Sequence, residues 1–519
     1  MSDRIRFETD PSRYRHWRLA VEGPVATLTL AVDPAGGLGD YELKLNSYDL
    51  GVDIELHDAL QRLRFEHPGV KAVVVTGGLD KVFCAGANIG MLAGASHAHK
   101  VGFCKFTNET RNGMEQMSAQ GGQAVIAAVN GTAAGGGYEL ALACDEILLV
   151  DDRSSSVSLP EVPLLAVLPG TGGLTRVVDK RHVRRDLADV FATRAEGVRG
   201  RQAVEWGLVD AVAPPSGFAE LVRSRAEARA AESDRPDGGE GVVLGPLEHR
   251  FVSVDIDRDL GVAHLTVRAF GSLAGSLDAC RELDAAVLDL RFNEPEVGTW
   301  VLHTSGDAAT MPAADEEVGG AGWLAREVRL FWGRTLKRLD LSARTLVALV
   351  EPGSCFAGTL AELALAADRT LMLDDGDTTL ALTAANDGWY PMANGLSRLA
   401  TRFWGRDDDL ARARATLGKA LVAADAADAG LVTATPDDLD WDDEVRLLLE
   451  ERASFSPDAL TGMEANLRFP GPETLETKIF ARLTAWQNWI FQRPNAVGEE
   501  GALKRYGTGQ KPVFDTRRV

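Results

Sequence analysis

The sequence repeats one pattern of residues in its two halves, and this repeat constrains the fold more than any other feature. The segment E-L-A-L-A-C-D at 139–145 recurs as E-L-A-L-A-A-D at 362–368, each with an apolar run before it and L-x-x-D-D after it. Two further pairs keep the same order: V-V-V-T-G-G (73–78) with V-L-H-T-S-G (301–306), and G-G-L-T-R (172–176) with N-G-L-S-R (394–398). Three echoes in one order are unlikely to arise by chance, so we predict two related domains in tandem.

Each copy has apolar strands that lead into helices through glycine turns, which is typical of an α/β domain. The first two strands, at 17–21 and 25–30, are expected to pair antiparallel around a Glu-Gly-Pro turn. The segment at 475–491 has the apolar and aromatic content of a packed helix. The boundaries predicted from these patterns are as follows: 1–231 for a first domain, 232–246 for a Gly-, Pro- and acid-rich linker, 247–455 for a second domain and 456–519 for a helical C-terminal segment.

Charge and cysteine usage exclude several classes of protein. The chain has 55 Lys and Arg against 76 Asp and Glu, a formal charge of −21, and no long basic run. A non-specific nucleic-acid binder or a binder of anionic membranes is therefore not expected. The five cysteines are widely spaced without a C-x-x-C pair, and no stretch approaches the ~20 apolar residues of a membrane span. We expect a cytoplasmic protein with reduced thiols.

The segment A-A-V-N-G-T-A-A-G-G-G-Y-E at 127–139 is the most informative for chemistry. Gly135, Gly136 and Gly137 let main-chain N–H groups approach a ligand without interference from side chains, so this turn could stabilise a developing oxyanion. A tight strand-to-helix connection would use the same glycines. Glu139 favours the first interpretation, because it falls in the first turn of the helix beside the proposed hole.

Two further segments could complete a site. Glu161 lies between Pro160 and Pro163, which we expect to hold the backbone extended and to present the carboxylate from a stiff loop. Two such carboxylates could position a water, one taking a proton while the other donates one. Either glutamate alone could instead be a solvated or capping acid. The loop F-C-A-G-A-N at 83–88 could bring the N–H of Ala87 to the same oxyanion, since such holes usually need two donors.

These three segments, in this order and spacing, resemble the enoyl-CoA hydratase/isomerase (crotonase) superfamily. The resemblance implies two tandem crotonase-like units of ββα spiral fold. It also implies that the N–H groups of Ala87 and Gly136 hold the thioester oxygen of an acyl-CoA, that Glu139 and Glu161 occupy the acid/base positions, and that Gly86, Gly135 and Gly137 belong to the substrate-binding loops. The segment 500–514 resembles the superfamily's C-terminal segment, which covers the acyl pocket and takes part in subunit contacts.

Nearly the whole chain resembles one branch of that superfamily, the benzoyl-CoA-dihydrodiol lyases. The resemblance is carried by 44–59, by G-F-C-K-F-T-N-E-T-R-N-G at 102–113, by 151–165 and by 483–499. It implies that the ring of 2,3-epoxybenzoyl-CoA is opened with two waters to formate and 3,4-dehydroadipyl-CoA semialdehyde, a step of the box pathway of aerobic benzoate breakdown. Coenzyme A would be part of the substrate, and no other cofactor is implied. The same resemblance points to Cys104 as a third active-site residue and to a homodimer.

Several alternatives stay open at this point. An enoyl-CoA hydratase acting on another acyl-CoA would share the same catalytic residues, and a non-catalytic CoA-binding scaffold is suggested by the altered second copy. In that copy Ala384 or a neighbour replaces the second acid, and Thr359, Leu360 and Ala361 interrupt the glycine turn. Cys104 could be an inert core thiol, as free cysteines usually are. We predict no metal, because no H-E-x-x-H or Cys/His ligand spacing is present.

Overall fold

The computed structural model describes residues 4–236 and 239–519 and contains two compact units. The first unit comprises Arg6–Pro246, and the second comprises Leu247–Val519 together with the N-terminal residues up to Ile5. Residues 237 and 238, which belong to the predicted linker, lie outside the described residues. The C-terminal segment 456–519 belongs to the same unit as 247–455. In the described part of the chain no helix has both the length and the apolarity needed to cross a lipid bilayer.

The first unit contains nine strands and nine helices among its described residues. The strands are β1 (Trp17–Glu22), β2 (Val25–Leu30), β3 (Ala72–Gly77), β4 (Lys81–Cys84), β5 (Ala124–Val129), β6 (Gly131–Ala134), β7 (Glu146–Val150), β8 (Val157–Ser158) and β9 (Ala211–Ala213). The helices are α1 (Leu50–Phe65), α2 (Ile89–Gly94), α3 (His97–Ala119), α4 (Gly136–Leu142), α5 (Glu161–Leu165), α6 (Gly173–Thr175), α7 (Arg185–Ala192), α8 (Gly200–Glu205) and α9 (Pro215–Ala231).

The strands of the first unit form two sheets. The larger sheet has the order β1-β2-β3-β5-β7-β9, in which β1 and β2 are antiparallel, as predicted, and the other pairs are parallel. The smaller sheet has the order β4-β6-β8 and is parallel. β5 is buried along almost its whole length because α9 covers one face of the large sheet, where it packs against Ile126 and Leu148, and α3 packs against the strand as well. Strands that are covered on both faces have continuous apolar runs in their sequences, and for this reason they could be recognised from the sequence.

The second unit contains seven strands and thirteen helices among its described residues. The strands are β10 (Val252–Asp257), β11 (Val262–Arg268), β12 (Thr299–Ser305), β13 (Thr345–Val350), β14 (Arg369–Met372), β15 (Leu380–Ala381) and β16 (Ala420–Leu421). The helices are α10 (Leu273–Asn293), α11 (Met311–Val318), α12 (Trp323–Asp340), α13 (Ala361–Ala366), α14 (Arg398–Arg402), α15 (Asp407–Arg414), α16 (Ala423–Asp428), α17 (Trp441–Ser454), α18 (Pro457–Leu467), α19 (Leu475–Thr477), α20 (Thr484–Ile490), α21 (Pro494–Val497) and α22 (Ala502–Arg505).

The main sheet of the second unit has the order β10-β11-β12-β13-β14, with β10 and β11 antiparallel and the rest parallel. It therefore begins as the sheet of the first unit does, and the predicted α/β fold class is confirmed in both units. The segment Lys478–Leu483 joins α19 to α20 as a wider helical turn, so that residues 475–490 are helical throughout. The predicted helix at the C-terminal end is thus present.

The described residues of the predicted linker contact the first unit. The guanidinium of Arg235 is buried and donates to the carbonyl oxygens of Pro68, Gly121 and Arg64. Leu244 is also buried, and its N–H donates to Glu66 at 2.8 Å. These contacts fix both ends of the segment, residues 232–236 and 239–246, on the surface of that unit.

Candidate active site

The three segments with predicted chemistry follow the three strands of the small parallel sheet. The loop with Gly86 and Ala87 follows β4, the glycine turn follows β6, and Glu161 comes three residues after the end of β8. Neighbouring parallel strands end at the same edge of a sheet, so segments far apart in the sequence are brought to one place. The sheet order β4-β6-β8 puts the glycine turn between the other two.

The main-chain amides of Ala87 and Gly136 are close together. A Cβ built on Gly136 would lie 3.3 Å from the nitrogen of Ala87. Ala87 forms a parallel bridge with Tyr48, in which the N–H of Tyr48 donates to Gly86 and the N–H of Asn88 donates to Tyr48. This pattern turns the N–H of Ala87 itself away from Tyr48. Gly136 is the first residue of α4, so the helix supplies no acceptor for its N–H.

Two of the glycines are required by backbone conformation. Gly86 has φ +87° and Gly135 has φ +51°, values that other residues rarely adopt. A Cβ on Gly86 would lie 2.7 Å from the carbonyl oxygen of Ala134, and one on Gly135 would overlap Oε1 of Glu161. The glycine turn therefore allows the two loops and the Glu161 carboxylate to approach one another closely.

Glu139 is held by the loop that precedes α6. Its side chain is 2% exposed and lies in the first turn of α4. Oε1 accepts the N–H groups of Thr171 at 2.9 Å and of Gly173 at 2.7 Å, and Oε2 accepts the hydroxyl of Thr171. Both oxygens thus act as acceptors of uncharged donors. Sequence analysis did not assign Thr171 or Gly173 to the site, although the repeated G-G-L-T-R motif marked their segment.

Glu161 is poorly solvated and close to Glu139. It is 9% exposed, and its Oε2 has no hydrogen-bond partner among the residues that the structure describes. Burial raises the pKa of Glu161 to about 7, and the negative charge of Glu139 adds to this effect. A carboxyl group with such a pKa exchanges a proton readily at neutral pH. The two acids therefore differ in environment, as an acid/base pair requires.

The prediction that Pro160 and Pro163 hold Glu161 in an extended loop is wrong. Pro160 has φ −86° and ψ 11°, and Glu161 begins the short helix α5, in which the N–H of Leu164 donates to Pro160. Proline fixes φ near −65°, which suits the first turn of a helix as well as an extended chain, and its missing N–H is not needed there. The prolines still restrict the backbone that carries the carboxylate.

Cys104 lies on α3 and is partly buried. A Cβ on Gly170 would be 3.2 Å from its sulfur, so the thiol faces the loop that carries Thr171. Burial raises the pKa of the Cys104 thiol, and Glu139 raises it further while Arg111 opposes both. The group is therefore a neutral thiol near the acids rather than an activated thiolate.

The second unit contains the same turn with different neighbours. Gly358 has φ +54°, and a Cβ there would overlap Oδ2 of Asp315 on α11. The Asp315 carboxylate accepts the N–H of Thr359 at 3.2 Å and the hydroxyls of Thr359 and Thr383 at 2.6 and 2.7 Å. The counterpart of the Gly136 amide is thus bound by a carboxylate of the chain itself.

The acid pair is also changed in the second unit. Ala357 bridges Ala381 as Ala134 pairs with Ser158, and this register makes Ala384 the counterpart of Glu161. Glu362, the counterpart of Glu139, is 1% exposed and accepts Asn386 at 2.8 Å and the guanidinium of Arg398 at 3.0 Å. One acid is therefore absent, and the other is neutralised by an ion pair. In the described residues of either unit, no cluster of three or more His, Cys, Asp and Glu side chains is arranged to hold a metal ion.

A family model matches most of the first unit, and one curated relative matches the whole chain. The family model described as "Enoyl-CoA hydratase/isomerase" matches residues 42–235. The benzoyl-CoA-dihydrodiol lyase of Aromatoleum evansii is 56% identical over 547 aligned residues, which cover 100% of this chain and 99% of that protein. The fatty acid oxidation complex subunit alpha of Shewanella loihica is 35% identical over 169 residues, 32% of this chain and 23% of that protein. A crystal structure of an enoyl-CoA hydratase from Bacillus anthracis is 30% identical, covers 42% of this chain and 77% of that chain, and has a TM-score of 0.36.

Proposed function

Because the chain belongs to the benzoyl-CoA-dihydrodiol lyase family of the enoyl-CoA hydratase/isomerase superfamily, we propose that it is a carbon–carbon lyase acting on 2,3-epoxybenzoyl-CoA. In the proposed reaction two waters open the ring, one ring carbon leaves as formate, and the remaining chain is 3,4-dehydroadipyl-CoA semialdehyde. The atoms balance with two waters alone, so neither dioxygen nor a redox cofactor takes part. Coenzyme A is part of the substrate, to which the acyl group is bound as a thioester. The step belongs to aerobic benzoate breakdown.

One observation carries this proposal: the main-chain amides of Ala87 and Gly136 lie close together beside two buried carboxylates of unlike environment. The N–H groups of Ala87 and Gly136 donate to the thioester oxygen and draw electron density out of the ring as charge develops on that oxygen. Such donors act most strongly where water is excluded and where they need no rearrangement, and losing one typically raises the barrier by about 2.7 to 4 kcal/mol.

The two acids take different roles in the proposed mechanism. Glu139 accepts three donors and presents a fixed acceptor, so it is the base that takes a proton from the attacking water. Glu161, whose pKa is near 7, holds a proton at neutral pH often enough to donate it to oxygen as the epoxide-derived ring opens. Glu161 recovers a proton from the second water, whose hydroxide adds to the departing one-carbon unit. When the carbon–carbon bond breaks, Glu139 returns its proton to the ring carbon that is left, so both acids regain their starting state. Cys104 stays a neutral thiol that lines the site.

Localisation and assembly are part of the proposal as well. We expect a cytoplasmic homodimer in which the C-terminal segment contributes subunit contacts. The five cysteines are free thiols, as a reducing compartment requires. Large apolar side chains of the C-terminal segment are exposed, among them Leu475, Phe480, Leu503 and Tyr506. Light scattering of the eluted protein should give twice the mass of 55.6 kDa for one chain; a monomer contradicts this part of the proposal alone.

The decisive experiment supplies 2,3-epoxybenzoyl-CoA to the purified protein and measures formate by proton NMR. We expect one formate per thioester consumed, together with an aldehyde signal from the semialdehyde. Crotonyl-CoA serves as the comparison substrate, because a hydratase of straight-chain acyl-CoA would add water to it. Hydration of crotonyl-CoA at a comparable rate without formate from the epoxide would identify an enoyl-CoA hydratase instead. If the protein turns over neither substrate, the result supports a non-catalytic CoA-binding protein instead.

A further inference from the structure

A cluster of buried polar side chains lies beside the two loops that carry the amides. It consists of Tyr48, Asp53, Thr107 and Arg111, all of which are almost completely inaccessible to solvent. Tyr48 immediately precedes α1, Asp53 is on α1, and the other two are on α3. We refer to these four residues as the buried polar cluster. The mechanism above uses none of them.

Arg111 contacts one loop directly and the other through Tyr48. Its Nη2 donates to the carbonyl oxygen of Gly136 at 2.9 Å. The same guanidinium lies over the ring of Tyr48, 5.7 Å from the centroid. Tyr48 in turn holds the first loop through its main chain, donating to Gly86 and accepting from Asn88, both at 2.8 Å. One side chain thus connects the segments that present the N–H groups of Ala87 and Gly136.

Burial of this cluster in the protein core is energetically unfavourable. Nε and Nη1 of Arg111 have no hydrogen-bond partner among residues 4–236 and 239–519, and the buried Asp53 carboxylate has the hydroxyls of Tyr48 and Thr107 and the charge of Arg111 beside it. Burying a charged or polar group without full hydrogen bonding destabilises the fold, and apolar residues of similar shape often stabilise it. Packing alone therefore does not account for a guanidinium at this position.

The second unit shows what the same position contains where the site is altered. The sheet registers make Thr345 the counterpart of Ala124, and Trp332 stands as far before Thr345 as Arg111 stands before Ala124. Glu55 and Glu282 accept the corresponding main-chain N–H groups at the start of β1 and of β10, so Asp53 corresponds to Cys280 on α10. Trp332 donates to Ser276 at 2.9 Å, and the pair is neutral and fully buried. The position of Arg111 is thus filled in the second unit by an uncharged side chain.

We propose that Arg111 is a positioning residue that fixes the two oxyanion amides relative to each other. It binds the carbonyl of Gly136 directly, and it contacts Tyr48, whose main chain holds the loop of Ala87. The inference rests on the proposed use of these amides to hold a thioester oxygen. The planar guanidinium suits both contacts, since one N–H donates to the carbonyl while its charge lies over the ring. A lysine ammonium retains the charge but cannot make both contacts in one geometry.

The test compares R111M and R111K with R64M. Arg64 is a matched control, because it is also buried and donates to a main-chain carbonyl of α3, that of Gly113, at 2.6 Å. Benzoyl-CoA is the probe, a thioester without the epoxide. The infrared band of its thioester carbonyl should move to lower frequency when bound to the native protein and to R64M. The displacement should fall by about half in R111K and almost vanish in R111M.

Kinetics give the second readout. We expect kcat for formate release to fall about 100-fold in R111M, near the lower end for the loss of one oxyanion donor, with KM changed less than about threefold. R111K should lose about tenfold. Thermal unfolding identifies variants that fail to fold, and if R111M is unfolded the folded R111K decides the question through the carbonyl band.

The outcomes separate this inference from the proposed function. A native-like carbonyl band and kcat in folded R111M or R111K overturn the positioning role, as does an equal loss in R64M. Formate release by the native protein without any displacement of the carbonyl band overturns it as well. If the native protein displaces the band and releases no formate, the proposed reaction fails, while loss of the displacement in R111M still supports the role of Arg111 in holding the amides.

Discussion

The two units of this chain share a turn and differ in what faces it. Gly135 and Gly358 have nearly the same φ, +51° and +54°, and each is followed by the first turn of a helix that carries a glutamate. In the first unit the amide after the turn, that of Gly136, has no acceptor within its helix. In the second unit the corresponding amide, that of Thr359, is bound by Asp315. Carboxylate oxygens of Glu161 and Asp315 lie against the two glycines, and Asp315 also binds the amide that follows its turn.

The glutamates of the two units also differ in the groups that surround them. Glu139 is bound by uncharged donors, whereas Glu362 is paired with Arg398, which also pairs with Asp340 at 2.6 Å. The counterpart of Arg398 in the first unit is Arg176, the last residue of the repeated motif, and it pairs with Glu115 at 2.9 Å instead. The arginine of this motif therefore neutralises Glu362 in the second unit, whereas in the first unit it pairs with Glu115 and Glu139 keeps uncharged donors. Neighbours from distant segments therefore decide whether the glutamate of this motif is ion-paired.

The largest effect is expected from the acids themselves. Replacing Glu139 and Glu161 together by glutamine should abolish formate release, and each single change should lower kcat by about 10²- to 10⁴-fold, the usual worth of a positioned acid or base. Glu362→Gln is the matched control in the second unit and should leave kcat unchanged. Formate release by the double variant, or an equal loss in Glu362→Gln, would break the comparison between the units.

A smaller effect on turnover is expected at the glycine turns. Gly135→Ala places a methyl group on Oε1 of Glu161 and forces an unfavourable φ, so kcat should fall about 100-fold, as for a displaced oxyanion donor. Gly358→Ala meets Asp315 and should lower the midpoint of thermal unfolding without changing kcat. Formate assays and calorimetry on both variants check this. If Gly358→Ala also lowers kcat, the second unit contributes to the site.

The pH dependence tests the difference between the two acids. Because Glu161 has a pKa of about 7, above the ordinary 4.5, its proton is retained on folding. The stability it contributes is complete below pH 4.5 and is lost as the pH rises through about 7. For the same reason kcat/KM should fall about tenfold per pH unit above an apparent pKa near 7, a value that belongs to the coupled pair. Glu161→Gln should remove this alkaline limb; a limb that persists in the variant assigns the titration to another group.

A still smaller effect on turnover is expected at Cys104. Because the pKa of its thiol is raised by burial and by Glu139, the group reacts poorly as a nucleophile. Cys104→Ser should keep kcat within about tenfold of the native value, far from the loss expected for a covalent catalyst. Cys144, a fully buried thiol of α4's C-terminal end, provides a control through Cys144→Ser. A loss as large as that of Glu139→Gln would make Cys104 a catalytic group.

Asp315 is expected to affect stability alone. Asp315→Ala leaves the Thr359 N–H and two hydroxyls without their acceptor, which should destabilise the second unit by about 1 to 3 kcal/mol. Formate release at a temperature where the variant is folded should be unchanged. Calorimetry with a parallel assay measures both quantities. An unchanged unfolding transition would show that the carboxylate is not what holds this turn.

Much of the first unit was predictable because its signals are local. The buried strands are apolar throughout, the helix α1 has Leu56, Leu60 and Leu63 on one face and is followed by Pro68, and the turn carries glycines where φ is positive. The position of Glu139 follows from the turn, since it lies in the first turn of the next helix. The conformation at Glu161 did not follow, because proline restricts φ to a value compatible with both an extended chain and a helix start.

The sequence by itself determined the repeat, the α/β class, the glycine turn and the residue types that reach it, because backbone sterics and apolar periodicity act over a few residues. Only the tertiary structure decided that Thr171 and Gly173 hold Glu139, that burial brings the pKa of Glu161 to about 7, and that Arg398 neutralises Glu362. These outcomes depend on which distant groups meet and on how much water they exclude. Charge and solvation are properties of that assembly, and no local pattern of residues specifies them.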